Sequence, residues 1–344
     1  MLCLSLCVSV SAVAHLENSM DGVLIIDKPA GLTSHDVVAR VRRILGERRV
    51  GHTGTLDPFA TGVLVLLVGR ATRLAQFLSG AEKEYQAVVR LGYATETGDA
   101  TGRPRLAPGE SESAAGAKPD IEAAAALSLE QIEAALAGLR GESEQMPPMY
   151  SAKKVAGKKL YELARRGEEI ERRAVPVTIY ELEAVEIEGE LLKSREDGTR
   201  EMGLRVVCSA GTYIRVLAED LGRSLGTAAH LSLLRRTRAG QFKIEDAARL
   251  EELAERAGAG RLAGLILSPG AALSRLPALH LTGEDARRVR HGMALGAGAF
   301  PDHDWQDGEP VRLFDEQGQL MAVGVYEAAS ERLRPRVVLA AGEE

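Results

Sequence analysis

Gly51-His52-Thr53-Gly54-Thr55-Leu56-Asp57-Pro58-Phe59-Ala60-Thr61-Gly62 lies between an amphipathic helical pattern and an apolar run at 63–68 that reads as a strand. A Gly- and Thr-rich connection between two packed elements is where chains usually place reactive groups, because glycine lets backbone approach a ligand closely. The stretch holds one carboxylate, Asp57. Composition alone leaves two readings open, a reactive group or the cap of a turn.

Upstream, the apolar run at 23–26 ends at Pro29 and Gly31 and reads as a strand and turn. Ser34 is placed to cap the next helix, with Asp36 in its first turn. Val37, Val38, Val41, Ile44 and Leu45 then recur at helical spacing, leaving Arg40, Arg42 and Arg43 on the wet side. Downstream, helices are expected at 72–78, 129–139, 158–166 (stopped by Gly167), 216–225 and 230–236, and strands at 85–91, 175–188 and 203–208. The Ala/Gly/Ser/Glu-rich residues 106–126 read as a flexible acidic insertion. From about Pro277, short strands with Gly and Asp turns suggest a small separate β-rich domain.

The chain has 344 residues and a net charge of −6, which taken alone argues mildly against nucleic acid. The charge is uneven: residues 21–105 carry +3, 145–175 +4 and 203–243 +5, whereas 106–144 carry −6. Three basic segments can build a phosphate-binding face on an acidic protein, or they can be solvated helix faces. Cys3, Cys7 and Cys208 make neither a disulfide framework nor a zinc spacing. The histidines are scattered, so no metal is expected.

Residues 1–14 imitate an export signal, with an apolar stretch and an Ala-Val-Ala end, but carry no Lys or Arg. They are too short to span a membrane. Met20 stands directly before the first strand. Residues 1–19 are therefore expected to be a non-native or unstructured extension, with Met20 the true start and a cytoplasmic location. Two phosphate chemistries are excluded. No Gly-x-x-x-x-Gly-Lys-Ser/Thr occurs. The phosphorylated-aspartate loop of haloacid-dehalogenase-like phosphotransferases has an Asp two residues before Thr-Gly-Thr, where this chain has Gly51.

Several motifs in order resemble the TruB family of RNA pseudouridine synthases. They are Asp27-Lys28-Pro29-x-Gly31-x-Thr33-Ser34, the Gly51–Gly62 stretch itself, Lys83-Glu84-Tyr85, and Thr95-x-Thr97-x-Asp99-x-x-Gly102. Pro147-Pro148-x-Tyr150-Ser151-Ala152-x-Lys154-x-x-Gly157, Cys208-Ser209-x-Gly211-Thr212-Tyr213-Ile214-Arg215 and Ala229-His230-Leu231-x-x-Leu234-Arg235-Arg236 follow. The unmatched N-terminus and the acidic insertion depart from the pattern without touching a motif.

The resemblance implies an α+β pseudouridine synthase fold, a mixed sheet with flanking helices, over residues 20–276, and a PUA-like RNA-binding β-barrel over 277–344. It implies isomerisation of the tRNA T-loop uridine, position 55, to pseudouridine. No atoms are gained or lost in that reaction, so no cofactor is required. One carboxylate is, as nucleophile or general base, and the family assigns it to Asp57. Arg215 is the implied cation that keeps Asp57 ionised. Its spacing from Tyr213 would put both side chains on one face if the segment is extended. Tyr85 is the implied stacking partner of the flipped base, Tyr213 and Leu234 wall the pocket, and His52 enters the space left by the extruded nucleotide. Lys153, Lys154, Lys158 and Lys159 are expected on phosphates. The implied partner is the T-stem-loop of tRNA, with no obligate protein partner, no membrane and a monomeric enzyme. Two rivals are a guide-RNA-directed, dyskerin-type synthase and a tRNA-folding chaperone.

Overall fold

The computed structural model describes residues 20–105, 121–151, 153–155, 157–164, 166–168 and 170–339. The expected extension at 1–19 and most of the expected insertion, 106–120, lie outside them. Nine strands matter for the site: β1 (Gly22–Lys28), β2 (Val50–Thr53), β3 (Thr61–Val68), β4 (Lys83–Leu91), β5 (Gly141–Gln145), β6 (Val175–Val185), β7 (Arg200–Cys208), β8 (Ala229–Ala239) and β9 (Ile266–Leu267). They form one mixed sheet in the order β9-β1-β3-β8-β4-β7-β6-β5, with β2 paired to β3.

The sequence of each strand fixes how it is covered. β1 and β3 are near-continuous apolar runs and are buried on both faces. Leu24, Ile26, Leu64 and Leu66 point into the main core, and Val23, Ile25, Val63 and Val65 into a second one. β4 alternates, with Tyr85, Ala87, Val89 and Leu91 turned into the main core. That core is closed by helices α1 (Ser34–Leu45), α2 (Leu129–Leu139), α3 (Ile214–Ser224) and α4 (Leu250–Gly258). From α1 it takes Val37, Val38, Val41 and Leu45, each worth roughly 1.5–3 kcal/mol when fully buried.

The sheet has a seam. β3 and β8 run parallel and pair only through Arg235 with Thr61 and Arg236 with Gly62, whereas the other strand pairs in the series are antiparallel. The loop carrying Asp57 enters the sheet at this seam. Gly62 permits it: its φ is +101°, and a Cβ there would stand 2.2 Å from the Arg236 carbonyl oxygen. Gly62→Ala should therefore destabilise the protein by about 2 kcal/mol or more. An unchanged urea midpoint would show that the two backbones can separate.

Four local expectations need correction. Thr33, not Ser34, is the N-cap of α1: its hydroxyl accepts the Asp36 N–H, and the Asp36 carboxylate accepts the Thr33 N–H. Both residue types cap well, so sequence does not set the register. Residues 230–236 lie in strand β8, not in a helix. Leu, Arg and Ala favour helix, but pairing with β4 on one side and β3 on the other overrides that preference. Tyr213 and Arg215 do not share an extended segment, because Tyr213 caps α3 and Arg215 lies in its first turn. Finally, Ile121–Ala125 is a short helix that buries Ala124, so the alanine-rich tract is not featureless to its end.

Residues 278–338 carry a second, five-stranded sheet around its own core of Leu281, Val289, Leu313 and Tyr326. The α+β class holds. No helix among the described residues is long and apolar enough to cross a membrane.

Candidate active site

A cleft of about 340 Å³ opens at the seam. Leu56 and Asp57 reach it from the loop between β2 and β3, Tyr85 from β4, Tyr213 and Arg215 from the start of α3, and Leu234 and Arg236 from β8. Lys83, Ser151, Lys153 and the Gly211-Thr212 loop complete its wall. Of the residues singled out in the sequence, Asp57, Tyr85, Lys153, Tyr213, Arg215 and Leu234 thus meet in one cavity.

Asp57 is on the floor, its side chain 32% exposed and paired with the Arg215 guanidinium, Nε to Oδ2 2.9 Å. Arg215 is buried and held from three further directions. It donates to the carbonyls of Thr97 at 2.6 Å and Tyr150 at 2.7 Å, and Asp99 Oδ2 lies 4.0 Å from its Nε. Asp99 is buried and fixed in turn, its Oδ1 accepting from the Thr97 hydroxyl and from the Thr101 N–H and hydroxyl. A guanidinium with five donors in a rigid fork can satisfy such a set, and an ammonium cannot. Burial pushes the Asp57 carboxyl above its ordinary 3.8, with Asp99 adding to the rise. Arg215 and, more weakly, Lys28 oppose it.

The loop under Asp57 is pinned from below. Ser34, freed from capping, accepts the Leu56 N–H at 2.9 Å and donates to its carbonyl at 3.2 Å. Lys28, fully buried, donates to the carbonyls of Pro29, Leu32 and Pro58. Burial lowers its ammonium to about 8 despite the Asp57 charge. Lys83, also lowered to about 8 by burial, donates to the carbonyls of Ser79 and Ala81. Burial raises the phenols of Tyr85 and Tyr213, and it raises the buried Cys208 thiol to about 11, which keeps that thiol inert.

Sequence reasoning gave no role to Asp99, Arg236 or Lys83, although each stands inside a quoted motif. The spacing Thr97-x-Asp99-x-Thr101 was the available signal, since short hydroxyls two residues either side of an Asp can both reach its carboxylate. His52 is the exception among the singled-out residues whose side chains are described. It does not line the cleft. It lies on β2, its ring edge-on to His35 with centroids 5.4 Å apart, and its buried Nδ1 has no hydrogen-bond partner. Burial, and then His35, lower its basicity. The side chains of Lys154, Lys158 and Lys159 lie outside the described residues. Their backbones form a hairpin, Lys154–Val155 with Lys158–Lys159, and the helix expected at 158–166 is shorter, Leu160–Ala164. Among the described residues no cluster could hold a metal ion.

A chain of a solved H/ACA RNP bound to a substrate RNA containing 2′-deoxyuridine superposes with a TM-score of 0.67 at 25% identity, over 94% of this chain and 87% of that one. The family model for the TruB family pseudouridylate synthase N-terminal domain matches residues 42–214. The tRNA pseudouridylate synthase B C-terminal domain matches 215–273, and the pseudouridine synthase II TruB C-terminal model 277–339. A protein of Geobacillus thermodenitrificans named tRNA pseudouridine synthase B is 45% identical over 90% of this chain and 96% of its own length. One of the same name from Solibacter usitatus is 43% identical over 89% and 95%. The chain belongs to the TruB family of pseudouridylate synthases.

Proposed function

We propose that the chain is a stand-alone, cytoplasmic tRNA pseudouridine synthase that isomerises the T-loop uridine at position 55. The observation that carries the chemistry is the Asp57–Arg215 pair at 2.9 Å on the floor of a cleft walled by Tyr85, Tyr213 and Leu234. The stand-alone reading is supported by relatives named tRNA pseudouridine synthase B at 45% and 43% identity. The chain in the H/ACA assembly, the guide-RNA alternative, stands at 25%.

In this reading the target uridine flips out of the T-loop, at a cost of a few kcal/mol, and stacking on Tyr85 recovers about 1–3 kcal/mol. His52, beside the cleft on β2, fills the vacated space. The C1′–N1 bond breaks, the uracil turns, a C1′–C5 bond forms, the C5 proton is lost to solvent and N1 takes one up. Attack by Asp57 at C1′ or at C6, and abstraction of a ribose proton, share one requirement: an ionised carboxylate held in place. Arg215 supplies the charge and its carbonyl partners supply the position. The basic hairpin at 154–159 and Lys153 position the RNA backbone, with residues 277–344 as a second RNA-binding unit.

The test uses a tRNA transcript labelled with tritium at uridine C5. The purified protein should release one equivalent, and a T-loop change of the target uridine to cytidine should abolish release. Binding without release would favour a folding chaperone. The phosphate contacts have their own signature. Lys153→Ala should weaken binding and flatten the slope of log K against log salt by about one unit per lost contact. An unchanged slope would place Lys153 away from the RNA.

A further inference from the structure

Arg236 heads the large side chains that are fully buried, at 1% exposure. Its known partners are neutral. Nε donates to the Val63 carbonyl at 2.7 Å and Nη2 to the Gly54 carbonyl at 3.0 Å. Its side chain lines the cleft, as does that of Tyr85. Among the described residues no ion pair joins it to a carboxylate. The backbone fixes where this charge sits. Arg236 faces Tyr85 across β8 and β4, and Gly62 across β8 and β3.

Two carbonyls do not need a cation. A neutral amide could donate to them without the cost of burying an uncompensated charge. What the amide could not supply is positive potential inside the cleft. The geometry points to Arg236 as a positioning residue that acts through Tyr85, holding the phenol's orientation toward the flipped base and keeping positive charge beside it. The inference rests on the functional reading above. Its charge is felt by the surrounding groups: it counters the rise that burial imposes on Tyr85, and it helps to lower Lys28, Lys83 and His52. Its backbone role at Gly62 belongs to the main chain and survives any side-chain change.

The experiment is a double-mutant cycle in single-turnover rate at saturating enzyme. It uses the full chain and unmodified tRNA, with Arg236→Gln, Arg236→Lys, Tyr85→Phe and the two double variants. Loss of the charge should slow wild type roughly 10- to 100-fold, the range that coupling within one network spans. The same change should cost less than about threefold once Tyr85 is Phe. Arg236→Lys, which keeps the charge but not the fork, should restore part of the rate. Equal losses in both backgrounds would overturn the proposal and leave Arg236 a brace for the Gly54 loop. Should Arg236→Gln fail to fold, the cycle with Arg236→Lys decides in the same way. A wild-type enzyme that releases no tritium would sink the functional reading itself, whereas an active wild type with additive variants sinks only this inference.

Discussion

Asp57→Asn is expected to lower single-turnover pseudouridine formation roughly 10³- to 10⁵-fold, as loss of an essential nucleophile or base does elsewhere. RNA affinity should change only a few-fold, because the proposed phosphate contacts lie elsewhere. The substitution keeps size and shape and removes only the charge. As a loop cap, Asn would serve nearly as well as Asp. The structure argues against a capping role, since the Asp57 side chain spends its carboxylate on Arg215 and the cleft. The loop is instead pinned by Ser34 and Lys28. A variant that keeps more than about a tenth of the rate, a loss of only about 1.4 kcal/mol, would remove Asp57 from the chemistry.

Arg215→Ala should cost about 100-fold or more, because the carboxylate loses both its counter-charge and its fixed position. In the Asp57→Asn background the same change should cost little, since the two residues act as one unit. The pH dependence carries a sign. Asp57 must be ionised to act, and its proton affinity is raised above 3.8 by burial and by Asp99 against the opposing pull of Arg215. The rate should therefore fall on the acid side at a pH above the ordinary aspartate value. Without Arg215 the opposing pull is gone, so that limb should move to higher pH. A limb that stays in place in Arg215→Ala would mean that the arginine does not govern the ionisation of Asp57. Arg215→Lys should recover less than charge alone implies, because an ammonium cannot also span the carbonyls of Thr97 and Tyr150.

Residue type alone singled out Asp57, the one acid of a Gly/Thr loop, and left it open between a reactive group and a cap. The roles expected of Asp57, Tyr85 and Tyr213 came from the ordered motifs that resemble the TruB family, whereas Val37, Val38, Val41 and Leu45 recurred at helical spacing and are buried as α1. The parts that were not legible depend on what pairs with what. β8 reads as a helix because Leu, Arg and Ala favour one; only its two neighbours make it a strand. Asp99 reaches Arg215 from another segment of the chain, and Arg236 is buried only because the seam closes over it. Ser34 looked like a cap because capping is what serines before helices usually do. Its actual partner, Leu56, is 22 residues away, a separation no local pattern records.

The most direct test of the central claim is to map modification in an unmodified tRNA transcript treated with the purified wild-type protein, beside an Asp57→Asn control. The account predicts pseudouridine at the single T-loop uridine, position 55, complete with wild type and absent with the control. Modification at another position, or equal modification by the Asp57→Asn protein, would contradict it.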